Sequence, residues 1–305
     1  MEFISFRAMQ GDAFIIKSGE TNILIDGGMP STYGQIEDWI DENTLNAAFI
    51  THVDYDHLGG IFGLISDKHS HIATCDFYMN HPDFPSEHQG EEVGFKHGHS
   101  LKDLLQERQK EFKQILTNTK LVYGDINIIA LSPDEHIVKK LYDNWQSNII
   151  YNDGVLKYKI KQTMSEDIIN KSSLILLVTC DNKSILMLGD SHASTAVKCL
   201  KDIEYSHERP LSLNLLKLSH HGSSHNTNAE LLKLVSCENY YISTNGGRYD
   251  HPDVETIQLL EQRASELNTI FNIYLNYDLE SDIRYKCGFP INNLNFIEQC
   301  YLELS

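Results

Sequence analysis

Ala47 to Thr51 reads as a short apolar strand that runs straight into His52-Val53-Asp54-Tyr55-Asp56-His57-Leu58-Gly59-Gly60. Four side chains able to ligate a metal thus fall within six residues at a strand end. Alternate positions of an extended backbone share a face, so His52, Asp54 and Asp56 can converge, and the turn that follows swings His57 into the same space. The bland alternative is a polar loop whose residues face water. The strand before it and the paired glycines after it favour a built site, with a helix expected from the glycines to about Ile65.

Working outward, three more strand ends carry chemistry. Leu188-Gly189-Asp190 closes a hairpin strand with a carboxylate. Leu216-Lys217-Leu218-Ser219-His220-His221-Gly222-Ser223 ends an apolar strand with paired histidines, which on an extended backbone cannot point the same way. One is expected to ligate metal, with His221 the preferred choice, and the other to reach the substrate or a supporting carboxylate. Tyr241-Ile242-Ser243-Thr244-Asn245-Gly246 leads to His251-Pro252, where His251 is either a ligand or a residue flanking a helix that Pro252 opens. Asp12 and Asp26 sit at glycine-containing turns, either orienting ligand histidines or shaping the turns. His69, His71, His136, His192, His207 and His225 read as surface residues.

The elements around these motifs alternate. Phe3 to Arg7, Ala13 to Lys17 and Asn22 to Ile25 read as an antiparallel meander, and Ile36 to Ile40 as a helix. Thr74 to Met79 reads as a strand, residues 82 to 100 as a polar loop, and Ser100 to Thr117 as a long helix with Leu101, Leu104, Leu105, Phe112 and Leu116 on its apolar face. Ile126 to Leu131 is a further strand. Leu174 to Thr179 and Ser184 to Leu188 form a hairpin around Asp181-Asn182. Helices over 191–200, 226–235 and 252–267 then alternate with strands over 213–218 and 240–243. Two β-rich stretches, each followed by helices, predict an α/β sandwich of two mixed sheets with helices outside. With no linker or repeat, 1–305 reads as one domain with an elaboration at about 133–171.

Composition narrows the function. The chain has 305 residues and a net charge of -18. Non-specific nucleic-acid binding depends on Lys and Arg displacing counterions, and the densest basic patch is only Lys157, Lys159 and Lys161. The charge argues against a bulk DNA-coating role, but not against action on one phosphate at a dication centre. No apolar run is long enough to span a bilayer, and no signal-peptide pattern opens the chain. Six cysteines without a CxxC pair read as reduced thiols of a cytoplasmic protein.

The segment from His52 to His57 resembles the HxHxDH signature of the metallo-β-lactamase superfamily, with Asp54 in place of the second His. Together with Gln10-Gly11-Asp12-Ala13, Ile23-Leu24-Ile25-Asp26-Gly27-Gly28, Leu188-Gly189-Asp190 and the paired-histidine segment, it is similar to the hydrolase domain of the competence DNA-uptake channel ComEC and its stand-alone soluble relatives. The resemblance implies the αββα sandwich and two divalent ions bridged by Asp190 and a hydroxide. His52, Asp54 and one of the paired histidines would serve one ion; Asp56, His57 and His251 would serve the other. Zinc is the first expectation and manganese the alternative, because Asp54 makes the site more oxygen-rich. The superfamily's additional His between the first motif and Asp190 has no clear counterpart among His81, His88, His97 and His99; His81 is the least poor, and the paired histidines are the more economical source.

The resemblance further implies a phosphodiester substrate, a nucleotide or nucleic acid, with Asp56 and His220 as catalytic residues and His220 stabilising developing charge. The acidic chain calls for a small substrate or a basic partner protein. A carbon-ester, lactone or lactam hydrolase, and a metal-stabilised interaction module without catalysis, are the rival readings.

Overall fold

The computed structural model describes residues 1–40, 43–68, 70, 72–81, 95–147, 149–152, 155–158 and 167–304. His69, His71, His88, Lys159 and Lys161 lie outside them, as do 82–94 of the expected loop, part of the expected elaboration and the side chains of His97 and His99.

Two mixed sheets stack face to face. The first has the strand order Tyr301–Glu303, Glu2–Ser5, Phe14–Ser18, Thr21–Ile25, Ala47–Phe49, Asp76–Tyr78 and Phe112–Lys113. Its first four strands are antiparallel and the rest parallel. The second runs Leu294–Glu298, Phe271–Leu275, Asn239–Ile242, Leu215–Lys217, Lys183–Met187, Ile175–Cys180, Ile126–Ser132 and Lys120–Tyr123. Here the first five strands are parallel, and the remaining pairings are antiparallel.

Period-two alternation sorts the side chains into three apolar layers. Phe3, Phe14, Ile16 and Ile23 of the first sheet meet Ile128, Leu176, Ile185 and Tyr241 of the second. On the opposite face of the first sheet, Ile15, Leu24 and Ala48 pack against Ile36, Leu58, Ile61 and Leu64 of the helices Tyr33–Ile40 and Tyr55–Ser66. On the far face of the second, Leu186, Leu216 and Tyr240 receive Ala196, Leu231 and Leu260 of the helices Ala193–Asp202, Ala229–Leu234 and Val254–Leu267. This is the αββα layering expected from the sequence.

Local differences have local causes. The helix after the first motif begins at Tyr55, not after Gly59-Gly60, so the glycines lie inside it. Their function is close approach: a Cβ on Gly60 would stand 2.1 Å from the Gly27 carbonyl oxygen. The helix backbone docks directly on the Gly27-Gly28 turn, with Gly27 N–H donating to His57 O at 2.6 Å and Gly60 N–H to Gly28 O at 3.1 Å.

The helix expected over Ser100 to Thr117 occupies Phe95–Glu107 instead, ahead of its expected start as well as its end. Arg108 then reaches back to the carbonyls of Ile65 and Asp67, at 2.6 Å each, and Gln109 takes a left-handed φ of 58°. The chain thereby turns, and Phe112–Lys113 joins the sheet beside Asp76–Tyr78. Sheet pairing overrides helical periodicity there.

The segment expected as an elaboration contains the helix Glu135–Ser147 and the hairpin Ile149–Asn152 with Val155–Tyr158. The strands Phe271–Leu275, Leu294–Glu298 and Tyr301–Glu303 extend both sheets beyond the elements read from the sequence. Among the described residues no helix is long and apolar enough to cross a membrane. All six cysteines are free.

Candidate metal centre

Four strands release their chains at one end of the sandwich. The strand Ala47–Phe49 leads to His52, Lys183–Met187 to Asp190, Leu215–Lys217 to His220 and His221, and Asn239–Ile242 to Ser243 and His251. Ligands commonly bind beyond the carboxyl ends of strands in α/β sheets, where such loops meet.

Asp190, 3% exposed, is the hub. Its Oδ2 lies 3.3 Å from His57 Nε2, 3.7 Å from both His220 Nε2 and His221 Nε2, and 3.9 Å from His52 Nε2. Asp54 Oδ2 is 3.6 Å from His52 Nε2, and Asp56 Oδ2 is 3.9 Å from His221 Nε2. Two overlapping trios, His52 with His57 and Asp190, and Asp56 with His57 and His221, bring their ligand atoms within 4.8 Å of one another. A third trio of Asp12, Asp26 and His57 stands behind them, with its carboxylates already engaged.

The protonation pattern of the rings follows from their outer partners. His57 Nδ1 donates to Asp26 Oδ2 at 2.9 Å, and His221 Nδ1 donates to the Ser243 carbonyl at 2.9 Å. Thr51 Oγ1 gives its only proton to Asp26 Oδ2 at 2.8 Å. It can therefore only accept from His52 Nδ1, 2.9 Å away. In the neutral ring, each of these outer bonds leaves an Nε2 lone pair facing inward. The three Nε2 atoms and Asp190 Oδ1 are buried with no hydrogen-bond partner. Buried polar atoms are normally satisfied, and this convergent set of unpaired ones fits divalent ions.

The electrostatics agree. Burial pushes Asp190 up, but His57, His220 and His221 pull it well below the ordinary carboxylate range. Burial pushes His57 down, and Asp190 and Asp26 override it, raising its pKa well above the ordinary value. The site thus attracts positive charge at the place where metal would sit. Behind His221, burial would raise Asp12, but Lys217 and His221 hold it far below its usual pKa. Lys217, fully buried, makes a short ion pair with Asp12, whose Oδ1 is 3.4 Å from His221 Nδ1.

The paired histidines depart from the expected geometry. The backbone there is not extended: Ser219–Gly222 is a tight 3₁₀ turn, and His220 and His221 both take left-handed conformations, with φ of 47° and 56°. Such conformations are costly outside glycine and cluster at functional sites. Both rings therefore reach Asp190, where an extended strand would have parted them.

His221, not His251, stands beside Asp56 and His57. His251 falls outside the trios: its Nδ1 contacts Asp253 Oδ1 at 2.9 Å and its ring centroid is 5.7 Å from that of His220. His81 packs edge-on against Trp145, 4.7 Å between centroids, and belongs to no trio. His192 contacts Asp167 at 2.8 Å, His207 contacts Glu230 at 3.0 Å, and His225 is exposed.

Sequence reasoning missed three supporting residues. Thr51 and Lys217 lay in quoted segments but received no role. Ser173, 0% exposed, accepts Asp190 N–H at 3.0 Å and stands 3.4 Å from His52 Nδ1. A lysine alternating with leucines in a buried strand was a usable signal; a serine before a strand was not.

Residues 7–112 match the family model described as the metallo-beta-lactamase superfamily. That stretch spans most of the first sheet and the His52–His57 segment of the centre. A search of curated protein sequences finds no match.

Among solved structures, the chain is similar to the metallo-beta-lactamase fold protein YhfI from Bacillus subtilis, with 12% identity, coverage of 99% of this chain and 98% of that one, and a TM-score of 0.47. It is similar to Zn(2+)-bound PqqB from Methylobacterium extorquens at 9% identity, covering 100% of each chain, with a TM-score of 0.49. It is also similar to the short form of human tRNase Z at 12% identity, covering 79% of this chain and 92% of that one, with a TM-score of 0.42.

Proposed function

We propose that the protein is a metal-dependent hydrolase that cleaves phosphodiester bonds of a nucleotide or nucleic acid. The observation that carries the proposal is the convergence of the unpaired Nε2 atoms of His52, His57 and His221 on the Asp190 carboxylate. His52, Asp54, Asp56, His57, Asp190 and His221 would hold two divalent ions, with His220 or His251 completing the set. Bound there, the ions supply an activated water and polarise the phosphoryl oxygen.

The chain's own residues do the rest. Asp26, Thr51 and the Ser243 carbonyl hold the three imidazoles in one orientation, so that little reorganisation accompanies reaction. Asp54 and Asp56 are the more open carboxylates, with side chains 35% and 27% exposed, and they face the substrate's approach. His220, 29% exposed, can donate a hydrogen bond from the rim to charge developing on the phosphoryl oxygens.

Three carboxylates among the ligands favour hard dications, which pair well with phosphate oxygens; zinc and manganese both suit a mixed His and Asp set. The charge of -18 fits a small or locally gripped substrate, or delivery by a basic protein, better than a coating of DNA.

The test is metal analysis followed by turnover of bis(p-nitrophenyl) phosphate, dinucleotides, single-stranded nucleic acid and acyl esters, with zinc and with manganese. Wild type is expected to cleave a phosphodiester, and Asp56→Ala with His57→Ala to lose that activity. Cleavage confined to acyl esters would replace the phosphodiester reading. A metal-loaded protein inert to the whole panel would leave a metal-stabilised interaction module.

A further inference from the structure

Beyond the rim of the metal centre lies a cavity of about 320 Å³, lined by Asn245, His251, Asp282, Tyr285 and Lys286. That volume is near the lower bound, roughly 300 Å³, of sites that hold small molecules. His251 forms the shared wall, since its ring also lies 5.7 Å from that of His220. The cavity therefore adjoins the metal centre at His220, within reach of a molecule that spans both.

The cavity is built for a flat, uncharged group. His251 and Tyr285 supply the rings of its wall, and Tyr249, outside the wall, stacks on His251 with an interplanar angle of 26° and a centroid separation of 6.1 Å. Tyr249 is 66% exposed and Tyr285 88% exposed, a large amount of aromatic surface for solvent to hold without a purpose. Asp250 and Asp282 line the cavity, and Lys286 is occupied by Asp250, through its carbonyl at 2.6 Å and its carboxylate at 3.1 Å. No net positive charge is left for a phosphate.

What the wall offers instead is a hydrogen-bond acceptor, the exposed Asp282 carboxylate. An acceptor one helical turn away from the Tyr285 ring matches the exocyclic amines of adenine and cytosine; uracil presents a carbonyl at that position.

We propose that this cavity binds the base of a nucleotide whose phosphate lies at the metal centre, and that it selects bases with an exocyclic amine. The proposal rests on the phosphate-ester reading above. It is tested by calorimetric titration of the metal-loaded protein with adenosine, cytidine and uridine monophosphates and with ribose 5-phosphate, which has no base.

Adenosine and cytidine monophosphates are expected to bind about tenfold or more tighter than ribose 5-phosphate, as base–aromatic stacking allows. Tyr285→Ala removes most of that advantage and leaves ribose 5-phosphate unchanged, and Asp282→Asn erases the preference for cytidine over uridine. Both positions are exposed, so the variants fold. Equal binding of all four ligands overturns the base site and leaves the phosphate reading standing. Binding of none of them overturns both.

Discussion

Asp12 and Lys217 form an ion pair with neither partner exposed, standing directly behind His221. A buried pair is costly to break from one side, because the survivor keeps an uncompensated charge. Lys217→Met is expected to destabilise the fold by about 3–5 kcal/mol. Asp12→Asn combined with Lys217→Met should cost much less than the two single changes added together. Urea unfolding of the three variants measures this, and strictly additive costs would show that the pair is not energetically coupled.

Asp26 takes a left-handed φ of 59°, which asparagine also tolerates, so Asp26→Asn preserves the turn. It replaces an acceptor that serves both Thr51 and His57, and His57 loses its fixed orientation. Metal affinity should fall about 10–100-fold, as for other residues that orient a ligand. Competition with a chromogenic chelator reads this directly. Unchanged affinity would mean that His57 is held by packing alone.

His221 and His251 make different demands on the metal. His221→Ala removes a ring that faces both Asp56 and Asp190, whereas His251→Ala removes one outside the ligand trios. The first should lower the bound metal content sharply and the second much less, by elemental analysis after gel filtration. The reverse ranking would make His251 the stronger ligand of the two.

Gly60→Ala places a Cβ against the Gly27 carbonyl, which is backbone and cannot step aside. The helix Tyr55–Ser66 must lift away and take Asp56 and His57 with it. A loss of about 1–3 kcal/mol in stability is expected, typical of overpacking. Weaker metal binding should accompany it, and thermal unfolding with and without added zinc separates the two effects.

Asp76 gives a pH signature away from the metal. Burial pushes its carboxyl up, but hydrogen bonds from Lys113 and Tyr123 override this and hold it below its ordinary value of 3.8. A carboxyl depressed in the folded state stabilises the fold above its unfolded pKa and loses that contribution as pH falls through the folded value. Asp76→Asn should therefore lower stability near neutral pH and make little difference at the most acid pH where the protein stays folded. The pair is one-third to one-half exposed, so the effect is about 0.5 kcal/mol or less. An Asp76→Asn penalty that does not shrink with acid would exclude this linkage.

By itself, the sequence determined the layers and which metal-capable side chains gather at the strand ends. Alternating apolar strands and strand-end motifs sufficed for the αββα order, because burial of every second residue is a local property of a strand. His52, Asp54, Asp56, His57, Asp190 and His221 were legible for the same reason: metal-capable groups at strand ends are close in sequence to the strands that place them. Tertiary structure alone decided how those groups meet. The left-handed turn at His220-His221, the docking of Gly60 on Gly27 and the burial of Lys217 beside Asp12 depend on residues dozens to hundreds of positions apart. So does the path of Phe112–Lys113, where a vacant sheet edge beside Asp76–Tyr78 outweighs helical periodicity. At the His52–Gly60 segment, composition named the candidate ligands, and the docking of the helix at Gly60 on the Gly27-Gly28 turn set where their atoms point.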